Sequence, residues 1–542
     1  MARPVRLACI QMPCFGIDRA REALDYALAR ITETAAEGID LVILPECTYP
    51  AYYLRSHRTF EQLADPPPAE ALHLFQGIAA QYRCHLAIGM VMDLDEGEKL
   101  SNAAILVGPD GEIVGRYAKT FLWHYDAHWF TPGGHYPVFE TALGRIGLMI
   151  CADGRLPEIA RAMALQGADL IVNTTAWVST GRDAKQLTNP QFEYMVPVRS
   201  RENGVWIVSA NKVGMEEENI VYCGRSCVVD PFGRRIAVAS PDSPETLRAE
   251  IDLDAGLGLP IDRHPTSYAL LGEETINLPV VTSMDESLIV SATYGLASAL
   301  QLGYYGTAEE FLLRVQHLIH LLATQDVNVI LFPDIPPGGE ATETYTTSAC
   351  LGPLTAMTQE HECSIAVVLA EQKGGARYKT AYFISAGQVL FSYRAAHLSP
   401  DERPFYTPGS GEYMVVKTRD LGNVGIMIGV EGLVPEVARC LMLEGADIIL
   451  WSGGQGTADD TLIARCRADE NRLFVIRSAI IGPDSTAVVA APGGQVLGEG
   501  LPGVEQAVSA NVDWSRARCK NMTPHTNVVL NRMPATYGLL YE

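Results

Sequence analysis

The stretch Ile146-Gly147-Leu148-Met149-Ile150-Cys151-Ala152-Asp153-Gly154-Arg155-Leu156-Pro157-Glu158 has a gapless counterpart later in the chain, Val424-Gly425-Ile426-Met427-Ile428-Gly429-Val430-Glu431-Gly432-Leu433-Val434-Pro435-Glu436. Each opens as a short, apolar, β-rich run and ends at a proline suited to the first turn of a helix. The match continues through Gln166-Gly167-Ala168-Asp169 against Glu444-Gly445-Ala446-Asp447. Three more pairs keep the same order: Leu44-Pro45-Glu46 with Phe332-Pro333-Asp334, Arg201-Glu202-Asn203 with Asp469-Glu470-Asn471, and Arg263–Leu271 with Arg532–Leu540. Chance does not preserve such an order, so the chain is an internal duplication.

Length points the same way, since 542 residues exceed what one hydrophobic core supports. The copies are expected at 1–275 and 285–542, joined by the short polar segment Gly272–Pro279. Within each copy, strand-like runs alternate with helical periodicity. Leu41–Leu44 and Arg145–Cys151 read as buried strands, and Ile159–Leu165 reads as a helix with Pro157 in its first turn and Gly167 past its end. Strands alternating with helices predict α/β layered domains with functional residues at strand ends.

With 48% hydrophobic and 19% charged residues, the chain is an ordinary globular protein. A net charge of −23 and the lack of any Lys/Arg-rich run argue against nucleic-acid binding. No apolar run approaches the roughly 18 residues of a membrane span. The start, Met1-Ala2-Arg3-Pro4-Val5-Arg6-Leu7, enters a strand directly instead of an apolar signal core. The expectation is a cytoplasmic protein without membrane partners. Twelve cysteines are too sparse for a disulfide scaffold and form no paired CxxC, so no metal site is expected, and the lone Cys223/Cys227 spacing reads as structural.

Three positions of the first copy form a coherent chemical set. Glu46 follows a strand and is fixed by Pro45, Lys119 follows the strand-like Glu112–Ala118, and Cys151 closes a strand just before a helix. A thiol at that place lies near helix-forming N–H groups, which favour a thiolate and can donate to an oxyanion. Singly, each has an ordinary reading: a core cysteine, a turn glutamate, a surface lysine.

The residues around these three resemble the nitrilase superfamily of carbon-nitrogen hydrolases. The resemblance rests on Leu44-Pro45-Glu46, on Tyr117-Ala118-Lys119-Thr120-Phe121-Leu122 reaching Phe130-Thr131-Pro132-Gly133, and on Gly147–Glu158. Asn173-Thr174-Thr175-Ala176-Trp177, Arg199–Asn203 and Gly224–Gly233 support it. It implies two tandem four-layer α-β-β-α sandwich domains and a Glu-Lys-Cys triad, carried onto Glu46, Lys119 and Cys151. Glu46 then serves as general base and Cys151 as nucleophile, while Lys119 and the backbone N–H of Ala152 hold the anionic intermediate, with no cofactor. Family members usually carry a second glutamate after the lysine, and the matching position here is Asp126, a shorter carboxylate expected to play a supporting role. Tyr125, His128, Trp129 and Trp177 are candidates for lining the pocket, and Tyr125, His128 and Trp129 read equally as packing.

In the second copy the same alignment sets Ala395 at the Lys119 position, Gly429 at Cys151, Asp334 at Glu46 and Glu402 at Asp126. Cys440 and Cys466 fall in helical segments well past the strand end and do not replace the nucleophile. With neither thiol nor ammonium, this copy is expected to be a pseudoenzyme that serves the first as a built-in dimer partner, or else binds an effector. Further homo-oligomerisation stays open. The expected reaction is hydrolysis of a small-molecule amide to a carboxylic acid and ammonia. An N-carbamoyl amine or a nitrile is the alternative substrate, and a non-catalytic scaffold is the reading of a different class.

Overall fold

The computed structural model describes residues 3–94, 100–179, 186–256, 258–286, 294–336, 338, 343–454, 456–457 and 459–542. The chain forms two compact units: Met1–Pro260 with Thr523–Thr526, and Ile261–Met522 with Asn527–Glu542. Residues 261–275, expected to close the first copy, therefore group with unit 2. Their side chains give the reason. Arg263 donates to the Leu540 carbonyl and to Glu436, and Arg532 donates to the Leu271 carbonyl, so the repeated tails Arg263–Leu271 and Arg532–Leu540 hold one another reciprocally. The expected start of the second copy, at 285, borders 287–293, which lie outside the described residues.

Unit 1 is built on two sheets. In one, Pro4–Pro13, Leu41–Ile43 and His85–Met92 run parallel, and Ser101–Val107 and Ile113–Ala118 extend the sheet antiparallel. In the other, Arg145–Ile150, Leu170–Thr174 and Trp206–Ala210 run parallel. Parallel neighbours need crossover connections. Helices Ala20–Ala35 and Pro68–Tyr82 supply them on the first sheet, and Pro157–Leu165 and Val196–Asn203 do so on the second. The sheets pack against each other, giving α-β-β-α layering. A strand covered on both faces is apolar throughout, which is why Leu41–Ile43 shows no polar alternation. The core between the first helices and their sheet centres on Leu24, Ile31, Phe75, Leu86, Ile88 and Ile105.

Unit 2 repeats this plan. Tyr294–Leu302, Val329–Leu331 and Ser364–Lys373 are parallel, followed antiparallel by Ala376–Ser385 and Gln388–Arg394. Asn423–Ile428, Ile448–Ser452 and Phe474–Arg477 form the parallel part of its second sheet. The shared registers make the two units comparable residue by residue.

Candidate active site

Glu46 and Lys119 follow strands of the first sheet of unit 1, and Cys151 follows the strand Arg145–Ile150 of the second, one in from its edge. The three therefore meet where strand ends of two facing sheets open between the layers. All are buried. Lys119 Nζ donates to Glu46 Oε1 at 2.7 Å and to Asp126 Oδ2 at 2.6 Å. Neighbours fix both carboxylates: Asn102 Nδ2 donates to Glu46 Oε1 at 2.7 Å, the Tyr52 hydroxyl to Asp126 Oδ1 at 2.9 Å, and the Trp123 N–H to Asp126 Oδ2 at 2.9 Å. Glu46 Oε2 is left buried with no hydrogen-bond partner among the described residues. A buried carboxylate oxygen costs free energy unless something binds it, so that oxygen is available to a proton donor in the site.

Burial would push the Lys119 ammonium down, but Asp126, Glu46 and Cys151 hold it well above its usual range. Burial raises Asp126, with Lys119 opposing and Glu46 reinforcing the rise. Burial and the Glu46 charge push the Cys151 thiol up to about 12, against a smaller opposing effect of Lys119. The thiolate expected from the sequence is therefore not the resting form. Helix N–H groups do not offset removal from water beside a carboxylate.

The turn that carries the thiol is tightly framed. Cys151 has φ 46°, in the left-handed region, and opens the 3-10 turn Cys151–Arg155. Its N–H donates to Asn173 Oδ1 at 2.9 Å. Asp153 accepts from the N–H groups of Ile150 and Phe121 and from the Tyr117 hydroxyl, at 2.9, 2.8 and 2.8 Å. Arg199 donates to the carbonyls of Gly154 and Arg155 and pairs with Glu202 at 2.7 Å, wholly buried. The N–H of Ala152 lies in the first turn, where a helix supplies no acceptor of its own.

Of the other candidates, Trp129 is buried in a cluster with Tyr52, Leu54, Leu100 and Phe130, and Tyr125 packs on that cluster. His128 is exposed, its ring 5.5 Å from that of His525. Trp177 is fully buried, and its indole N–H has no partner among the described residues. Unit 1 includes Thr523–Thr526, where Thr526 Oγ1 accepts the His124 N–H at 2.8 Å and donates to the Leu122 carbonyl. The sequence reading missed Asn102, Tyr52 and Asn173. Two signals were available: Asn173 opens a segment that carries the family resemblance, and Asn102 stands with Ser101 at the polar start of an otherwise apolar strand.

In unit 2 the expectation of a lost ammonium is overturned. The Ala395 N–H donates to the Lys379 carbonyl just as the Lys119 N–H donates to the Asn102 carbonyl, so Lys379 stands at the Asn102 position, one strand away. Lys379 Nζ donates to both Asp334 and Glu402, the counterparts of Glu46 and Asp126. A gapless comparison of motifs could not show this, because the charge moved between strands and not along one. The thiol has no such substitute: Gly429 occupies the turn with φ 53°. A β-carbon there would lie 2.7 Å from Asp334 Oδ2, a distance that forces something to shift.

A family profile described as carbon-nitrogen hydrolase matches residues 6–256 and again residues 296–519. The chain belongs to this family of enzymes, with both repeats recognised. It is similar to a nitrilase of Pyrococcus abyssi, 31% identical over 225 residues, covering 41% of this chain and 80% of the relative. It is also similar to the omega-amidase NIT2 of Xenopus tropicalis, 30% identical over 243 residues, covering 43% of this chain and 84% of the relative. A crystal structure of an amidase from Nesterenkonia sp. matches at 25% identity and a TM-score of 0.41, covering 46% of this chain and 91% of that one.

Proposed function

We propose that the first repeat hydrolyses the carbon-nitrogen bond of a small primary carboxamide through a thioester on Cys151. Glu46 takes the thiol proton and the sulfur attacks the amide carbon. Lys119 and the N–H of Ala152 hold the resulting oxyanion. As the carbon-nitrogen bond breaks, Glu46 protonates the departing ammonia. Water then attacks the thioester, giving its proton to Glu46, and the carboxylic acid leaves as the sulfur regains a proton. Asp126 keeps the ammonium charged and oriented. The observation that carries this reading is the Lys119 ammonium clamped between two buried carboxylates, one of which keeps an oxygen without a partner among the described residues. A resting thiol fits a base that acts only once substrate is bound.

The amide choice is supported by the omega-amidase among the relatives and by the wording Cys151-Ala152-Asp153-Gly154. The second repeat acts as a catalytically silent partner to the first, since Gly429 offers no nucleophile. The reciprocal clasp of the two repeated tails supports descent from a two-fold dimer whose subunits were fused. We place the protein in the cytoplasm, where its twelve free cysteines suit a reducing compartment. Among the described residues no helix is long and apolar enough to cross a membrane. The test is ammonia release from a panel of amides, N-carbamoyl amines and nitriles. Amides are expected to lead the panel, and Cys151→Ala to lose on the order of 10³-fold or more in kcat. Turnover of nitriles alone, or an active Cys151→Ala protein, would overturn the proposal.

A further inference from the structure

Glu46 is followed by a turn that its counterpart in unit 2 does not make. Cys47 has φ 46°, in the left-handed region, whereas Ile335, which follows Asp334, stays outside that region. The positions are equivalent, since the Glu46 N–H donates to the Thr175 carbonyl just as the Asp334 N–H donates to the Gly453 carbonyl. An L-residue tends to leave the left-handed region unless its surroundings hold it there. On either side of Cys47 the backbone is pinned. The Thr48 N–H donates to the Gly89 carbonyl at 2.8 Å, and the Thr48 hydroxyl to the Pro45 carbonyl at 2.9 Å. The chain also packs so closely on Gly89 that a β-carbon there would lie 2.5 Å from Glu46 Cα. Among the described residues no backbone N–H reaches the Cys47 carbonyl, and the donor it meets is the Lys212 ammonium, at 2.8 Å.

Lys212 is 3% exposed, and a buried ammonium is costly unless its neighbours compensate. Besides the Cys47 carbonyl it faces the Tyr222 ring at 5.7 Å, and the Tyr222 hydroxyl is held by the equally buried Glu216, which also accepts the Tyr53 N–H. In unit 2 the same place is Ile480. It pairs with Leu302 as Lys212 pairs with Met12, each pair lying next to a glutamine, Gln301 or Gln11, that donates to two loop carbonyls. There Asp334 Oδ1 folds back on the N–H of its own neighbour, Ile335, at 2.7 Å. Glu46 instead reaches Lys119 and Asn102 through Oε1, with Oε2 unpartnered among the described residues. The repeat without the lysine is thus also the one without the turn and without the thiol.

We propose that Lys212 is a positioning residue for the reaction assigned to Cys151: by holding the Cys47 carbonyl it keeps the turn that directs the free oxygen of Glu46 at the thiol proton. The inference rests on the reading of Glu46 as the base. A second link acts in the same direction, since the Cys47 thiol donates to Asn102 Oδ1 at 3.6 Å and Asn102 donates to Glu46. Without the ammonium the Cys47 peptide relaxes toward the conformation of Ile335, and Glu46 turns with it.

The experiment is steady-state kinetics of the full-length protein on the best substrate of the panel above, with melting temperatures measured alongside. Lys212→Met removes the charge and keeps most of the volume. It is expected to lower kcat at least tenfold with KM within threefold, because Glu46 acts in the chemical steps. Lys212→Gln, a milder change, is expected to lower kcat several-fold and keeps the proposal testable if Lys212→Met does not fold. Adding Cys47→Gly to either variant should recover several-fold in kcat, since glycine holds a left-handed turn unaided. Were Lys212 needed only for packing, that second deletion would lower stability and rate further. Unchanged kcat in the Lys212 variants, an effect confined to KM, or no recovery by Cys47→Gly overturns the assignment. Turnover that survives Cys151→Ala overturns the underlying reading, and this one with it.

Discussion

Cys151 combines a demanding backbone with a demanding side chain. Its φ of 46° is a conformation that costs an L-residue roughly 1–2 kcal/mol and glycine almost nothing. Gly429 holds the same turn in unit 2 at φ 53°, so that copy lacks both the proposed nucleophile and the strain. Cys151→Gly should therefore be about 1 kcal/mol more stable than Cys151→Ala in urea denaturation, although both are inactive. Equal stability of the two would show that the turn stores no strain. The thiol makes a second prediction. Raised to about 12 by burial and by Glu46, it is protonated at neutral pH, and its thiolate fraction grows roughly tenfold per pH unit below that value. Alkylation of Cys151 by iodoacetamide should rise with that slope from pH 7 to 10. A plateau below pH 8 would mean that the thiolate is already formed at rest.

At the level of strands, the paired units amount to an exchange already made. The ammonium that Lys119 brings from the end of Ile113–Ala118 comes in unit 2 from within Ala376–Ser385, yet it reaches both carboxylates from either origin. Removing it by Lys119→Ala leaves Glu46 and Asp126 buried without a counter-charge, which should cost about 3–5 kcal/mol of stability. Adding Asn102→Lys to that variant should recover most of the loss, measured by the same denaturation, because position 102 already donates to Glu46. No recovery would mean that the unit 1 strand cannot present an ammonium as Lys379 does. This relocation also marks what the sequence could disclose. Glu46, Lys119 and Cys151 were readable because each sits in a local motif at a strand end. Asn102, Tyr52 and Lys379 were not, since their partners lie on segments distant in sequence that only the tertiary fold brings together. The loss of Cys151 in the second copy was legible for the same reason that the survival of its ammonium was hidden.

For the whole chain, the order of the repeat motifs disclosed the duplication, but the sequence put the division at 275, whereas the compact units divide at 260 and exchange short segments. Tail residues contribute through a few hydrogen bonds from arginine side chains to backbone carbonyls, and no periodicity reveals those. Thr523–Thr526 belongs to unit 1, and Thr526 lies 402 positions beyond His124, whose N–H it accepts. The loop it ties down, Leu122–His124, leads directly into Asp126, and the Trp123 N–H holds the carboxylate that orients Lys119. A fragment of residues 1–275 carries all three proposed catalytic side chains but lacks this tie. It also leaves Arg263–Leu271 without the Leu540 carbonyl and Arg532 side chain. Such a fragment should express with exposed apolar surface, aggregate or self-associate, and release ammonia at least tenfold more slowly than the full chain. In the full chain, Thr526→Ala should lower kcat several-fold with little change in melting temperature, because one loop hydrogen bond contributes only about 1 kcal/mol. A soluble, monomeric and fully active 1–275 fragment would remove the structural role proposed for the second repeat and leave ligand binding as its remaining use.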